Sequence, residues 1–106
     1  MIYKAVKPMI ISIYHITMVL DSVGRVYGCG FNEHGQLGTG NYDDKTRLVP
    51  MLGLPVGVTA TQIVISDYHT VVLGSNGTVY GCGFNERGQL GTGNYQEQLQ
   101  LGAMLI

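Results

Sequence analysis

The sequence predicts an all-β protein built from two consecutive four-stranded antiparallel sheets. Three observations predict it. Residues 26–42 read VYGCGFNEHGQLGTGNY and residues 79–95 read VYGCGFNERGQLGTGNY, runs that lie 53 residues apart in a 106-residue chain and differ only at His34 and Arg87. Apolar stretches are short and bounded by turn residues, and no segment keeps helical periodicity. Sixteen glycines against three prolines supply positive-φ turns without the composition of a disordered linker. Self-similarity at a period near 50 residues marks a repeat architecture, in which each copy is one small supersecondary unit.

The elements follow in order. Met9-Ile10-Ile11 gives the first strand, and Thr17–Leu20 with Val26-Tyr27 gives a hairpin around Asp21-Ser22-Val23-Gly24. Arg47–Leu52 supplies an outer strand. In the second copy Ile63-Val64-Ile65 precedes a hairpin of Thr70–Leu73 and Val79-Tyr80. Its turn, Gly74-Ser75-Asn76-Gly77, places Asn-Gly between β-branched runs, the strongest short-range hairpin signal because a tight turn needs positive φ there. Leu99–Leu105 closes the second set. Outside the identical run, Ile11–His15 matches Ile65–His69 at an offset of 54, and Met51-Leu52 matches Met104-Leu105 at 53. The chain therefore divides into repeat one, residues 1–57, and repeat two, residues 58–106, each the size and pattern of a propeller blade.

The order His-Thr-x-x-Leu, Asn-Gly, Val-Tyr-x-x-Gly-x-Asn-x-x-Gly-Gln-Leu-Gly-x-Gly resembles the repeat of the regulator of chromosome condensation family. His69–Gly93 carries it cleanly and His15–Gly40 less so. The signature residues are His15, Gly35, Gln36, Leu37 and Gly38 in the first copy and His69, Gly88, Gln89, Leu90 and Gly91 in the second. Kelch repeats of similar length normally show paired glycines and a Trp per blade, and this chain has neither. Cys29 and Cys82 stand where family members carry an aromatic. The absence of any Trp excludes the ultraviolet-sensing branch, which works through clustered tryptophans.

The resemblance implies a closed ring of about seven blades, within the range propellers adopt, whereas this chain encodes two. Interior blades are buried on both faces. A two-blade unit buries one blade-to-blade seam and leaves two apolar faces exposed, which marks an interaction surface. The charged fraction of only 12%, against roughly 25% in ordinary domains, agrees with faces that lack solvating side chains. Further blades come either from other copies of the chain or from flanking blades of a longer protein. Head-to-tail closure from whole chains gives even totals, six blades for a trimer or eight for a tetramer.

Other chemistry finds little support. Net charge is −1, which indicates neither nucleic-acid nor membrane attraction. His15 and His69 recur without the further ligands a zinc site needs, and read as structural. Cys29 and Cys82 occupy equivalent positions on stacked sheets about 10 Å apart, too far for a disulfide. Free buried thiols near the narrow central end of the blades point to an intracellular location, cytoplasmic or nuclear. The glycine-rich segments match neither nucleotide-binding fingerprint, and no helix follows them. Leu37 and Leu90 are expected to plug inter-blade space. Asn76-Gly77-Thr78 is formally a glycosylation acceptor but coincides with the hairpin turn. Lys4 and Lys7 before an apolar run weakly imitate a leader, yet repeat two contains the same elements. No catalytic arrangement recurs, so neither enzyme activity nor a cofactor is expected.

Function is left to the loops. The copies diverge most at Asp43-Asp44-Lys45-Thr46-Arg47 against Gln96-Glu97-Gln98-Leu99-Gln100. The candidate interaction residues are Glu33, His34, Tyr42, Asp43, Asp44, Arg47, Glu86, Arg87, Tyr95 and Glu97, all in or beside loops that decorate one ring face. The leading reading is a propeller-forming protein-interaction scaffold. The resemblance also implies nucleotide exchange on a small GTPase, although no insertion is long enough to act as a wedge. A purely structural, self-assembling unit is the third.

Overall fold

The computed structural model describes residues 6–106. Lys4, one of the two leader-like charges, lies outside the described residues. Eight strands form among them: β1 (Met9–Ile13), β2 (Ile16–Leu20), β3 (Val26–Gly30), β4 (Lys45–Pro50), β5 (Ala60–Ile65), β6 (His69–Gly74), β7 (Val79–Gly83) and β8 (Gln98–Ala103). They pair as two antiparallel meanders, β1-β2-β3-β4 and β5-β6-β7-β8. The all-β, two-blade architecture expected from the repeat is the one observed.

The turns explain why each sheet folds where it does. Asp21 accepts the backbone amides of Val23 and Arg25 and holds the Arg25 guanidinium at 3.0 Å, closing the first hairpin. In the second, Asn76 accepts the Thr78 amide and donates to the Tyr80 hydroxyl. The Asn76 side chain is thus engaged in the turn, as its Asn-Gly context anticipates.

Register corrects one detail of the repeat alignment. Ile10 pairs with Val19 and Ile16 with Gly30; Ile63 pairs with Val72 and His69 with Gly83. The strand offset is therefore 53 throughout, and His69 is the counterpart of Ile16. His15 corresponds to Tyr68, as their carbonyls confirm by accepting the amides of Phe31 and Phe84. The matching Tyr-His letters invited a one-residue slip, because the two hairpins differ in shape: Tyr14 and His15 both have positive φ, and neither Asp67 nor Tyr68 does.

The two sheets stack face to face. From the first come Ile16, Met18, Leu20, Val26 and Leu37; from the second, Ile63, Ile65, Val72, Tyr80 and Cys82, all in one buried cluster. Burying such side chains contributes about 1.5–3 kcal/mol each, so this seam is the core of the molecule. Leu37 does sit between the blades, over Gly28 and Met18. Leu90 is equally buried over Gly81, but outside that cluster, on the side of the second sheet with no blade opposite. Cys29 and Cys82 are free thiols on third strands, so neither lies at a sheet edge.

Backbone bonds fasten the seam. Gly40 donates to the Leu99 carbonyl, Leu101 to the Leu52 carbonyl, and Ala60 to the Gly24 carbonyl. Gly53 has φ +112°, and a Cβ there would lie 2.2 Å from the Leu101 carbonyl oxygen. Gly57 also has positive φ, at +83°, but its surroundings are open. Gly57→Ala is therefore expected to cost about 1–2 kcal/mol of conformational strain. Gly53→Ala should cost about 1 kcal/mol or more beyond that, by forcing the blades apart. Urea unfolding of the two variants measures the difference.

Candidate functional site

Each blade carries one long loop after its third strand, residues 31–44 and 84–97, and one asparagine organises each. The Asn32 amide donates to the carbonyls of Asn41 and Asp43 at 2.9 Å each, while its oxygen accepts the Leu37 amide at 2.9 Å. Asn85 repeats the pattern with Asn94 at 3.1 Å, Gln96 at 2.8 Å and Leu90 at 3.0 Å. Both asparagines are fully buried. A buried amide with its hydrogen bonds made rigidifies its surroundings, and removing it strands several backbone groups at about 1–3 kcal/mol each. These residues lie inside the repeated motif, but their role was not singled out by sequence reasoning. The signal was there: the same Asn five residues before each buried Leu.

The glutamines extend the loop toward the neighbouring blade. Gln36 accepts the His34 amide at 2.8 Å and donates across the seam to the Asp67 carbonyl at 3.1 Å. Its own carbonyl accepts the Thr70 hydroxyl at 2.7 Å. Gln89 keeps the local bond from the Arg87 amide, at 2.9 Å.

His34 and Glu97, predicted as loop decorations, meet across the seam. The His34 Nδ1 lies 2.6 Å from Glu97 Oε2, and the imidazole sits edge-on against the rings of Tyr68 and Phe84, at 5.1 and 5.0 Å. Tyr42 donates to the other Glu97 oxygen at 3.1 Å, and that bond raises the Tyr42 phenol above its ordinary value. Tyr68 and Phe84 were missed, since a contact between residues so far apart in sequence leaves no local signal. His34, Tyr42 and Glu97 thus form one cluster that binds blade to blade.

The remaining candidates are placed otherwise. Glu33, Asp43, Arg47, Glu86, Arg87 and Tyr95 are exposed. Asp44 is exposed too, with one oxygen accepting the Asn32 backbone N–H at 2.9 Å. The signature glycines and leucines form the loop interior. His15 occupies an exposed turn, whereas His69 is half-buried and bonded through Nδ1 to the Ser66 hydroxyl at 2.8 Å. Among the described residues, no group of three or more His, Cys, Asp or Glu is gathered to hold a metal, and no helix is long and apolar enough to cross a membrane.

Two titrations follow. Burial pushes the Cys82 thiol up to about 12, while Cys29 is only half-buried. In the single chain, alkylation at pH 8 is expected to modify Cys29 at least tenfold faster than Cys82, read by mass spectrometry of the peptides. Burial lowers the His69 imidazole below its ordinary 6.5. The unfolded chain then binds the proton first, so stability is full above pH 6.5 and falls as pH drops toward the folded-state value. His69→Ile, which places the residue of Ile16 there, should remove that share of the slope in pH-dependent thermal melts.

The chain matches two family models, each described as the regulator of chromosome condensation (RCC1) repeat, over residues 23–73 and 60–89. It is 42% identical over 88 residues to the inhibitor of Bruton tyrosine kinase of Xenopus laevis, covering 81% of this chain and 6% of that protein. It is 36% identical over 77 residues to the secretion-regulating guanine nucleotide exchange factor of Bos taurus, covering 73% and 16%. The chain thus spans a small part of the relatives it matches. Among solved structures it superposes on human WBSCR16 with a TM-score of 0.72 and 26% identity, over 84% of this chain and 23% of that one. Prp20p of Saccharomyces cerevisiae gives 0.69 and 22%, over 94% and 26%.

Proposed function

The chain belongs to the regulator of chromosome condensation repeat family, and we propose that it serves as a non-enzymatic, intracellular protein-interaction module whose two blades are completed to a ring by further copies. The observation that carries this reading is the pair of loops after β3 and β7. Each is held from within by a buried asparagine, yet presents exposed charges to solvent, Glu33 and Asp43 in one and Glu86 in the other. Rigid scaffolds with exposed loop side chains are where protein recognition resides. The relatives support it: Prp20p is described for its binding to Gsp1p and histones. Free thiols at Cys29 and Cys82 support a reducing compartment.

Nucleotide exchange on a small GTPase is the second reading, favoured by the likeness to a secretion-regulating guanine nucleotide exchange factor. Against it stands the absence of any extended insertion between the described strands. Affinity capture on the full chain and on E33A/D43A/E86A tests the first reading. At least one protein is expected to be retained by the parent and reduced about tenfold by the variant; identical retention would sink it. Acceleration of fluorescent nucleotide release from a purified small GTPase would move the assignment to exchange.

A further inference from the structure

The same positions have different environments in the two blades, and the difference is systematic. Ile63 is 3% exposed where its counterpart Ile10 is 77% exposed, and Leu101 is 3% exposed where Leu48 is 47% exposed. Cys82 is buried and Cys29 half-buried, Tyr80 buried and Tyr27 half-buried. Ile10, Val19, Tyr27, Cys29 and Leu48 share the face of the first sheet turned away from the second. On the other open side, Val64, the counterpart of the half-buried Ile11, is 64% exposed. The open face of the first blade therefore has the pattern of the covered face of the second, and the converse holds for the remaining pair.

The hollows lie where that pattern requires. Between the blades, the Leu99 side chain packs against Gly35, beside His34 and Tyr42. The counterpart of that place in the second blade is an open hollow lined by Arg87, Gly88, Gly93, Asn94 and Tyr95. The residue matching Leu99 is Thr46, exposed on β4. A second, mainly apolar hollow lies on the open face of the first blade, around Met9, Ile10 and Val19. In the second blade the turn at Gly24 docks beside the matching strand, its carbonyl accepting the Ala60 amide.

We infer that the open face of the second blade receives the first blade of a second copy of this chain, through a seam that repeats the internal one with Arg87 and Asp44 in place of His34 and Glu97. The inference rests on the ring-completing part of the function proposed above. By the 53-residue correspondence, Gly93 donates to the Thr46 carbonyl and Leu48 to the Leu105 carbonyl. Thr17 donates its hydroxyl to the Gln89 carbonyl as Thr70 does to that of Gln36. Thr46 enters the Arg87–Tyr95 hollow. The Arg87 guanidinium takes the His34 place, beside Phe31 instead of Phe84, and faces the free oxygen of Asp44. The exchange is chemically matched: a guanidinium on a longer side chain than the imidazole stands opposite a carboxylate one methylene shorter. The single difference within the repeated run thus falls at the seam, and its charge is opposite to the group it would meet.

Light scattering of the full chain over a concentration series tests this. Wild type is expected as a discrete species of three or four chains. R87E and, separately, T46R (a bulky group at an exposed position with no side-chain hydrogen bond among the described residues) should each weaken association at least tenfold, and D44K/R87E should restore it relative to R87E. Because Asp44 also accepts the Asn32 backbone N–H, Cys29 alkylation provides an independent readout: slowed at least tenfold in the assembled wild type and restored in R87E and T46R. Assembly unchanged by both single variants, with Cys29 still reactive, overturns this seam and leaves the loop-based module standing. A wild type that stays monomeric at every concentration overturns both the seam and completion by copies, and assigns the open faces to blades of another chain.

Discussion

A four-stranded sheet with apolar residues on both faces cannot be hidden by one neighbour. That constraint governs the rest of this structure. Ile16, Met18 and Leu20 need the second blade, and Ile63, Val72, Tyr80 and Cys82 need the first, so one seam supplies the common core. The loops are subordinate to it: Asn32 holds the 31–44 loop closed so that Leu37 and Gln36 reach the partner sheet. The outer strands are subordinate too, since β8 is fastened to the first blade by backbone bonds at Leu99 and Leu101.

The seam also divides its labour by chemistry. Its middle is apolar and supplies most of the stabilisation, about 25 cal/mol for each Å² removed from water. Its rim is polar and fixes register: the His34–Glu97 pair, the Tyr42 hydroxyl and the Gln36 amide each demand one relative position of the sheets. A partly exposed polar pair of this kind adds little stability by itself. Its value here lies in specifying which loop meets which blade.

Much of this was legible in the sequence, and the parts that were not share a cause. The strands and hairpins were readable because Asn76-Gly77 and the β-branched runs around them act locally. The propeller architecture was readable because a repeat declares itself without any knowledge of packing. The equivalence of His15 and His69 misled, because letters align by identity whereas strands align by pairing, and a two-residue turn at Tyr14-His15 replaced a different one at Asp67-Tyr68. His34 was read as a surface decoration, since nothing near it in the chain announces Phe84 or Glu97. Cys82 and Cys29 looked alike and are not, because burial depends on which side the neighbouring blade stands.

The loop bonds of Asn32 span only five to eleven residues, whereas the seam joins Gly40 to Leu99. Short closures form early and distant ones late. During synthesis the first blade can therefore acquire its sheet and its loop while the second is still being made. Met18 and Leu20 are then uncovered until β5 to β8 have formed. The order of events exposes a sticky intermediate for as long as translation of some fifty residues takes, at about 5–20 residues per second. Prompt folding of the second blade is what ends that interval.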